Sequence, residues 1–134
     1  MLKSVKKLKF EIILTISIYV LAIILGAFIQ IDTNKIEIPE NTPTALAILK
    51  NNLKASIMLL FGLITLGITT CISLIINGTI LGNVIMVNLK YLSGTEVLSR
   101  ILPHGILEIP ATILLAAVGF QTLKVVINLI RQKK

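Results

Sequence analysis

Residues 55–89 read ASIMLLFGLITLGITTCISLIINGTILGNVIMVNL, and not one of them is charged. A helix or strand at a water-facing surface brings polar residues round every two to four positions. This run never does so with an ionised group, which makes lipid its solvent. About 20 apolar residues at about 1.5 Å each cross a hydrocarbon core of about 30 Å. The run is therefore too long for one straight crossing and suits two short ones. Asn77-Gly78, a strong turn dipeptide, supplies the break. One span is expected over 55–76 and the next over 79–92. The second is short, so it either runs past Lys90, whose long stem lets the ammonium reach outward, or is re-entrant.

The same character extends in both directions. Residues 12–30 form a first apolar stretch, longer than the h-region of a cleaved signal sequence, of about 7–15 residues. Glu11 stands at its edge beside Lys7 and Lys9, where it can stay hydrated, and Ala22 and Gly26 make a small-xxx-small pair for close helix approach. Residues 32–53 are polar, with Pro39 and Pro43, and 45–49 suit a short interfacial helix. The last span covers 105–123, beginning after Pro103 and ending before Lys124. The fold class expected is an all-α, polytopic transmembrane bundle of about four membrane-embedded helices in a single domain over 1–134. Only 14% of residues are charged and the net charge is +7. The positive charge gathers at the ends, in Lys3, Lys6, Lys7 and Lys9 and in Arg131, Lys133 and Lys134. Such flanking clusters read as cytoplasmic anchors. Four crossings put both termini in the cytoplasm, and three put the tail outside; the distribution of Lys and Arg favours four by a small margin. A nucleic-acid partner is not expected, because aromatics are sparse and no stacking platform appears.

The residues with chemical potential cluster late in the chain. Ser93-Gly94-Thr95-Glu96 is a capping box opening a short amphipathic helix. Pro103-His104-Gly105-Ile106-Leu107-Glu108 follows, with His104 and Glu108 four apart and so on one helical face. A carboxylate in mid-membrane costs about 2.5–3.5 kcal/mol on insertion scales, so a partner or a wet cavity is implied. Three readings stand open: a structural His–Glu hydrogen bond, a proton or cation site, and a docking site for another protein's transmembrane helix. Asn51 and Asn52 precede the second span, and Asn77, Asn83 and Asn88 follow it. Gly78 and Gly82 form a G-xxx-G step, and these features suit either tight packing or a transporter-like site of broken helices. A zinc hydrolase is excluded, since one His and one nearby Glu fall short of three ligands plus an open position. No Ser/His/Asp triad can be assembled around Asp32. The lone Cys71 cannot form an intrachain disulfide, and no cofactor is expected.

In order and spacing, Asn51-Asn52, Gly62, Gly67, Asn77-Gly78, Gly82, Pro103-His104-Gly105-x-x-Glu108 and Gly119 resemble the stage II sporulation protein M family, over residues 51–120. The resemblance implies a helical, multi-pass membrane protein without catalytic activity. In that family the sporulation member anchors cell-wall-degrading enzymes, and other relatives accompany ATP-binding transport subunits or peptide export and immunity systems. The expected function is thus a non-enzymatic membrane subunit that organises partners. The alternative is a transporter or channel component with an ATPase partner. Expected partners are the lipid bilayer, a second copy or other membrane subunits, and an ATPase or a cell-wall hydrolase. Longer members carry a further C-terminal helix, so a second copy or another subunit is expected to cover the face it would occupy.

Overall fold

The computed structural model describes residues 8–29 and 45–132. The terminal lysines 3, 6, 7, 133 and 134 and most of the polar 32–53 segment fall outside them. Five α-helices follow in order: α1 (Lys9–Phe28), α2 (Ala45–Leu60), α3 (Ile68–Leu89), α4 (Gly94–Gly119) and α5 (Gln121–Gln132). Three stretches are long and apolar enough to cross a membrane: Lys9–Phe28, Ile68–Leu89 and Gly105–Gln132, the last joining most of α4 to α5. The expectation of about four such helices is corrected to three. α2 has 16 residues and carries Lys50, Asn51, Asn52 and Lys54, so it lacks both the length and the unbroken apolar character. The interfacial helix expected at 45–49 is simply its first turn.

The helices are inside-out by the standard of soluble proteins. On α1 the buried residues are Glu11, Thr15, Tyr19, Ala22 and Gly26, a stripe of three- and four-residue steps. Its large aliphatics, among them Ile13, Leu21, Ile24 and Leu25, point outward. Lipid tails are as apolar as leucine, so helices gain little by hiding leucine and much by bringing backbones close and pairing polar groups. α3 buries Thr70, Ser73, Leu74, Gly78, Gly82 and Asn83 in the same way. The two stripes meet in parallel. A Cβ on Gly78 would stand 2.6 Å from Ala22 Cβ and 3.0 Å from the Tyr19 carbonyl oxygen. One on Gly82 would collide with the Ile23 carbonyl, and one on Gly26 with the Thr79 backbone. Further along, the Asn83 amide donates to the Ile29 carbonyl at 2.6 Å, satisfying an acceptor that the end of α1 leaves open.

This packing explains why the break lies elsewhere than expected. α3 runs without interruption through Asn77-Gly78. Asn-Gly turns are favoured where water can take up the freed backbone groups, and inside a bundle in lipid it cannot. Gly78 is used for approach to α1. The chain reverses instead after α2, through a 3-10 turn (Phe61–Leu63). Leu66 and Gly67 then take left-handed backbone angles, φ 53° and 85°. The Gly67 amide donates back to the Gly62 carbonyl at 2.7 Å, a six-to-one bond of the kind that closes helix C-termini. Other open carbonyls at this end are met by hydroxyls: Thr70 Oγ1 donates to Leu59 O and Thr122 Oγ1 to Leu63 O, each at 2.7 Å. α2 therefore folds back antiparallel to α3, and the expected spans 55–76 and 79–92 give way to α2 and Ile68–Leu89.

α4 also differs from expectation. The capping box is present: Glu96 N–H donates to Ser93 Oγ, and Ser93 N–H donates to Glu96 Oε2 at 2.9 Å. The helix it opens continues past Pro103 and Pro110 to Gly119, so Pro103 does not begin a new element at 105. Each proline removes one intrahelical donor, whereas stopping the helix would orphan four amides and four carbonyls. The bundle closes at the end where α2 reverses. There Gly62, Thr70 and Gly119 are in contact and Phe120 packs on Gly67. Glu11 is 2% exposed and accepts an ion pair from Lys124 Nζ at 2.9 Å. It is not the hydrated edge residue that its neighbours Lys7 and Lys9 suggest.

Candidate functional site

Away from that closed end the four longer helices separate around a cavity of about 630 Å³. Asn51, Asn52 and Ser56 reach it from α2, Asn77 from α3, Gly105, Glu108, Thr112 and Arg100 from α4, and Tyr19 from α1. Each is placed by local rules already described. The break at Leu66-Gly67 lets α2 return beside α3, bringing Asn52 and Asn77 to one space. The continuity of α4 brings Glu108 to the edge of that space at mid-height, and the stripe that buries Glu11 and Thr15 places Tyr19 two turns beyond Glu11.

The heights agree. Glu108 lies about 16 Å along α4 from Gly119, Asn77 about 14 Å from the start of α3, and Tyr19 about 15 Å from the start of α1, at about 1.5 Å per residue. The otherwise mostly apolar cavity thus gathers its polar side chains at mid-bundle. Tyr19 and Leu59 are its buried back wall, while Glu108 and Asn51 remain exposed. Ser56 Oγ donates to the Asn52 backbone carbonyl, one turn back, at 2.8 Å. Among the described residues, no hydrogen bond or ion pair engages the side chains of Asn51, Asn52, Asn77 or Glu108. Nor do any three histidine, cysteine or carboxylate side chains converge as a metal ion would need.

The residues singled out from sequence divide into two groups. Asn51, Asn52, Asn77, Gly105 and Glu108 line the one cavity. Gly78 and Gly82 do not reach it and serve the α1–α3 contact. Pro103 and His104 lie on α4, but their side chains fall outside the described residues, as does the proposed His104–Glu108 bond. Of the other asparagines, Asn83 caps α1 and Asn88 bonds back to Val84 O at 2.8 Å. Tyr19, Ser56, Thr112 and Arg100 are lining residues that sequence reasoning did not single out. Helical spacing offered a signal for three of them: Ser56 is four after Asn52, Thr112 four after Glu108, and Tyr19 eight after Glu11.

A helical bundle of three long apolar stretches, with a carboxylate and several asparagines facing a shared cavity, defines a multi-pass membrane protein. The family model for stage II sporulation protein M matches residues 12–134, and the chain belongs to that family. An uncharacterized protein of Methanocaldococcus jannaschii is 37% identical over 142 aligned positions, covering 95% of this chain and 76% of the relative. No solved structure matches significantly.

Proposed function

We propose that this chain is a non-enzymatic membrane subunit that organises partner proteins within the bilayer. The observation that carries this reading is the set of polar groups in the cavity: Glu108 and three asparagines stand at mid-bundle with no hydrogen bond or ion pair among the described residues. A carboxylate there costs about 2.5–3.5 kcal/mol, and amides facing lipid without hydrogen bonds add to that. Association with another protein that satisfies these groups offsets the cost. α2, shorter than a full crossing, folds back beside α3. The Glu11–Lys124 pair supports a layout with both chain ends on one side, the cytoplasmic side by the distribution of lysine and arginine. A second copy, an ATPase or a cell-wall hydrolase are the partners to test first.

The test is assembly size in mild detergent, read by native electrophoresis and co-purification. Glu108→Gln and Asn77→Ala are expected to shift the protein from a complex to a free subunit while leaving its helical content unchanged. A complex indifferent to both substitutions would count against the reading.

A transporter component is the second reading, favoured by the size of the cavity, which is large enough for a small solute. It loses one motive, because the helix beside Glu108 and Asn77 is not broken. Proteoliposome flux abolished by Glu108→Ala would favour it over the first reading.

A further inference from the structure

We infer that the cavity receives a basic side chain, lysine or arginine, carried by a transmembrane helix of a partner. This rests on the reading of the chain as an organising subunit and names the chemistry its partner must bring. The size of the cavity comes first. A helix with side chains is about 10–12 Å wide, so about 630 Å³ equals only about 6–8 Å of its length. The cavity holds no more than about one or two turns of a helix, whereas a helix lying along its open side can put one long side chain into it. The lining comes second. Glu108 supplies the negative charge, and the amide oxygens of Asn51, Asn52 and Asn77 supply neutral acceptors. The only basic residue among the described lining residues, Arg100, precedes the candidate span and stands about 12 Å back along α4 from Glu108. At mid-bundle the one charged side chain among the described lining residues is therefore the carboxylate of Glu108, which is complementary to an ammonium or guanidinium donor.

Depth chooses the source of that cation. Glu108 lies about 16 Å from the closed end of α4 and about 21 Å from its start. A lipid amine is held at the headgroup level and would have to sink most of the way to the bilayer midplane. A lysine on a spanning helix is delivered at whatever depth its position dictates. The rim suits such a helix: Leu107 is 77% and Leu114 49% exposed, with the small Ala111 between them one turn from each. A small residue between two large ones permits close axial approach.

The experiment uses the full chain in liposomes with a synthetic twenty-residue leucine helix bearing one central lysine, against the all-leucine helix, with association read by energy transfer. The lysine helix is expected to bind at least about tenfold more tightly. Glu108→Gln should erase that preference, and Glu108→Lys should reverse it toward a helix bearing a central glutamate. Equal binding of the two helices, or a preference that survives Glu108→Gln, overturns the inference. So does a Glu108-dependent cation leak without lysine preference, which assigns the cavity to a solute. If the native complex still depends on Glu108 while the lysine helix is not preferred, this inference alone fails. If the complex ignores Glu108 and Asn77, the organising role fails with it.

Discussion

Removing Lys124 should cost this protein much more than removing the carboxylate it pairs with. At 2.9 Å the two charges attract by about 6 kcal/mol at an effective dielectric of about 20. Most of that offsets desolvation, which reaches several kcal/mol for each ion withdrawn from water. The two partners are unequal in this respect. Glu11 is 2% exposed, while the Lys124 side chain is 33% exposed and keeps a further interaction of its own. Lys124→Met strands an ionised carboxylate in the bundle, at about 3–5 kcal/mol. Glu11→Gln leaves a lysine that is already part-solvated, at about 1 kcal/mol, as for partly exposed pairs. The double variant strands neither charge and should fall near the milder single one. Cys71, half-buried on α3, is a built-in reporter. Its thiol-labelling rate during unfolding by sodium dodecyl sulfate in mixed micelles gives the three stabilities. Equal losses in the two single variants, or a double variant as damaged as their sum, would refute the reasoning.

Two further outcomes follow from the packing and the cap. Gly82→Ala drives a Cβ into the Ile23 carbonyl and should lower stability in the same assay by about 1–3 kcal/mol. Gly105→Ala, whose Cβ makes only ordinary contacts with Ile109 Cδ1 at 3.5 Å and Ile101 Cγ2 at 3.8 Å among the described residues, should change it by less than about 0.5 kcal/mol. Glu96, fully exposed, is held below its ordinary carboxylate value of 4.5 chiefly by the Ser93 backbone amide, and also by the Ser93 hydroxyl. A depressed folded value means that the cap's support is complete above pH 4.5 and is lost as pH falls through the lowered value. Amide exchange over residues 94–98, corrected for intrinsic rates, should show the first turn of α4 loosening only in that acid range, and Glu96→Gln should remove the dependence.

Much of the helical architecture was legible because lipid enforces it. A long run without charge has few alternatives to helix, and a Ser-x-x-Glu pattern before an apolar stripe states where α4 starts. The break at Asn77-Gly78 was misread because turn preferences describe a competition with water that α3 never enters. The same competition made Pro103 look like a boundary. Leu66-Gly67 gave little warning, since a leucine in the left-handed region is held there by contacts distant in sequence, such as Phe120 on Gly67. Asn51, Asn52, Asn77 and Glu108 were conspicuous as polar residues in or beside apolar runs, and helical spacing then carries over to Ser56 and Thr112. The burial of Glu11 was beyond local reasoning: its partner lies 113 residues away, and nearer lysines offered a simpler account.

That separation has a consequence for biosynthesis. Glu11 stands in the first turn of α1, and its counter-charge is not made until the chain has grown by a further 113 residues. Throughout translation the first helix carries an acid whose buried place is not yet available. Its docking waits for α2, α3 and α4 and the start of α5, so a nascent chain halted before residue 124 would display a first helix whose buried acid has no counter-charge.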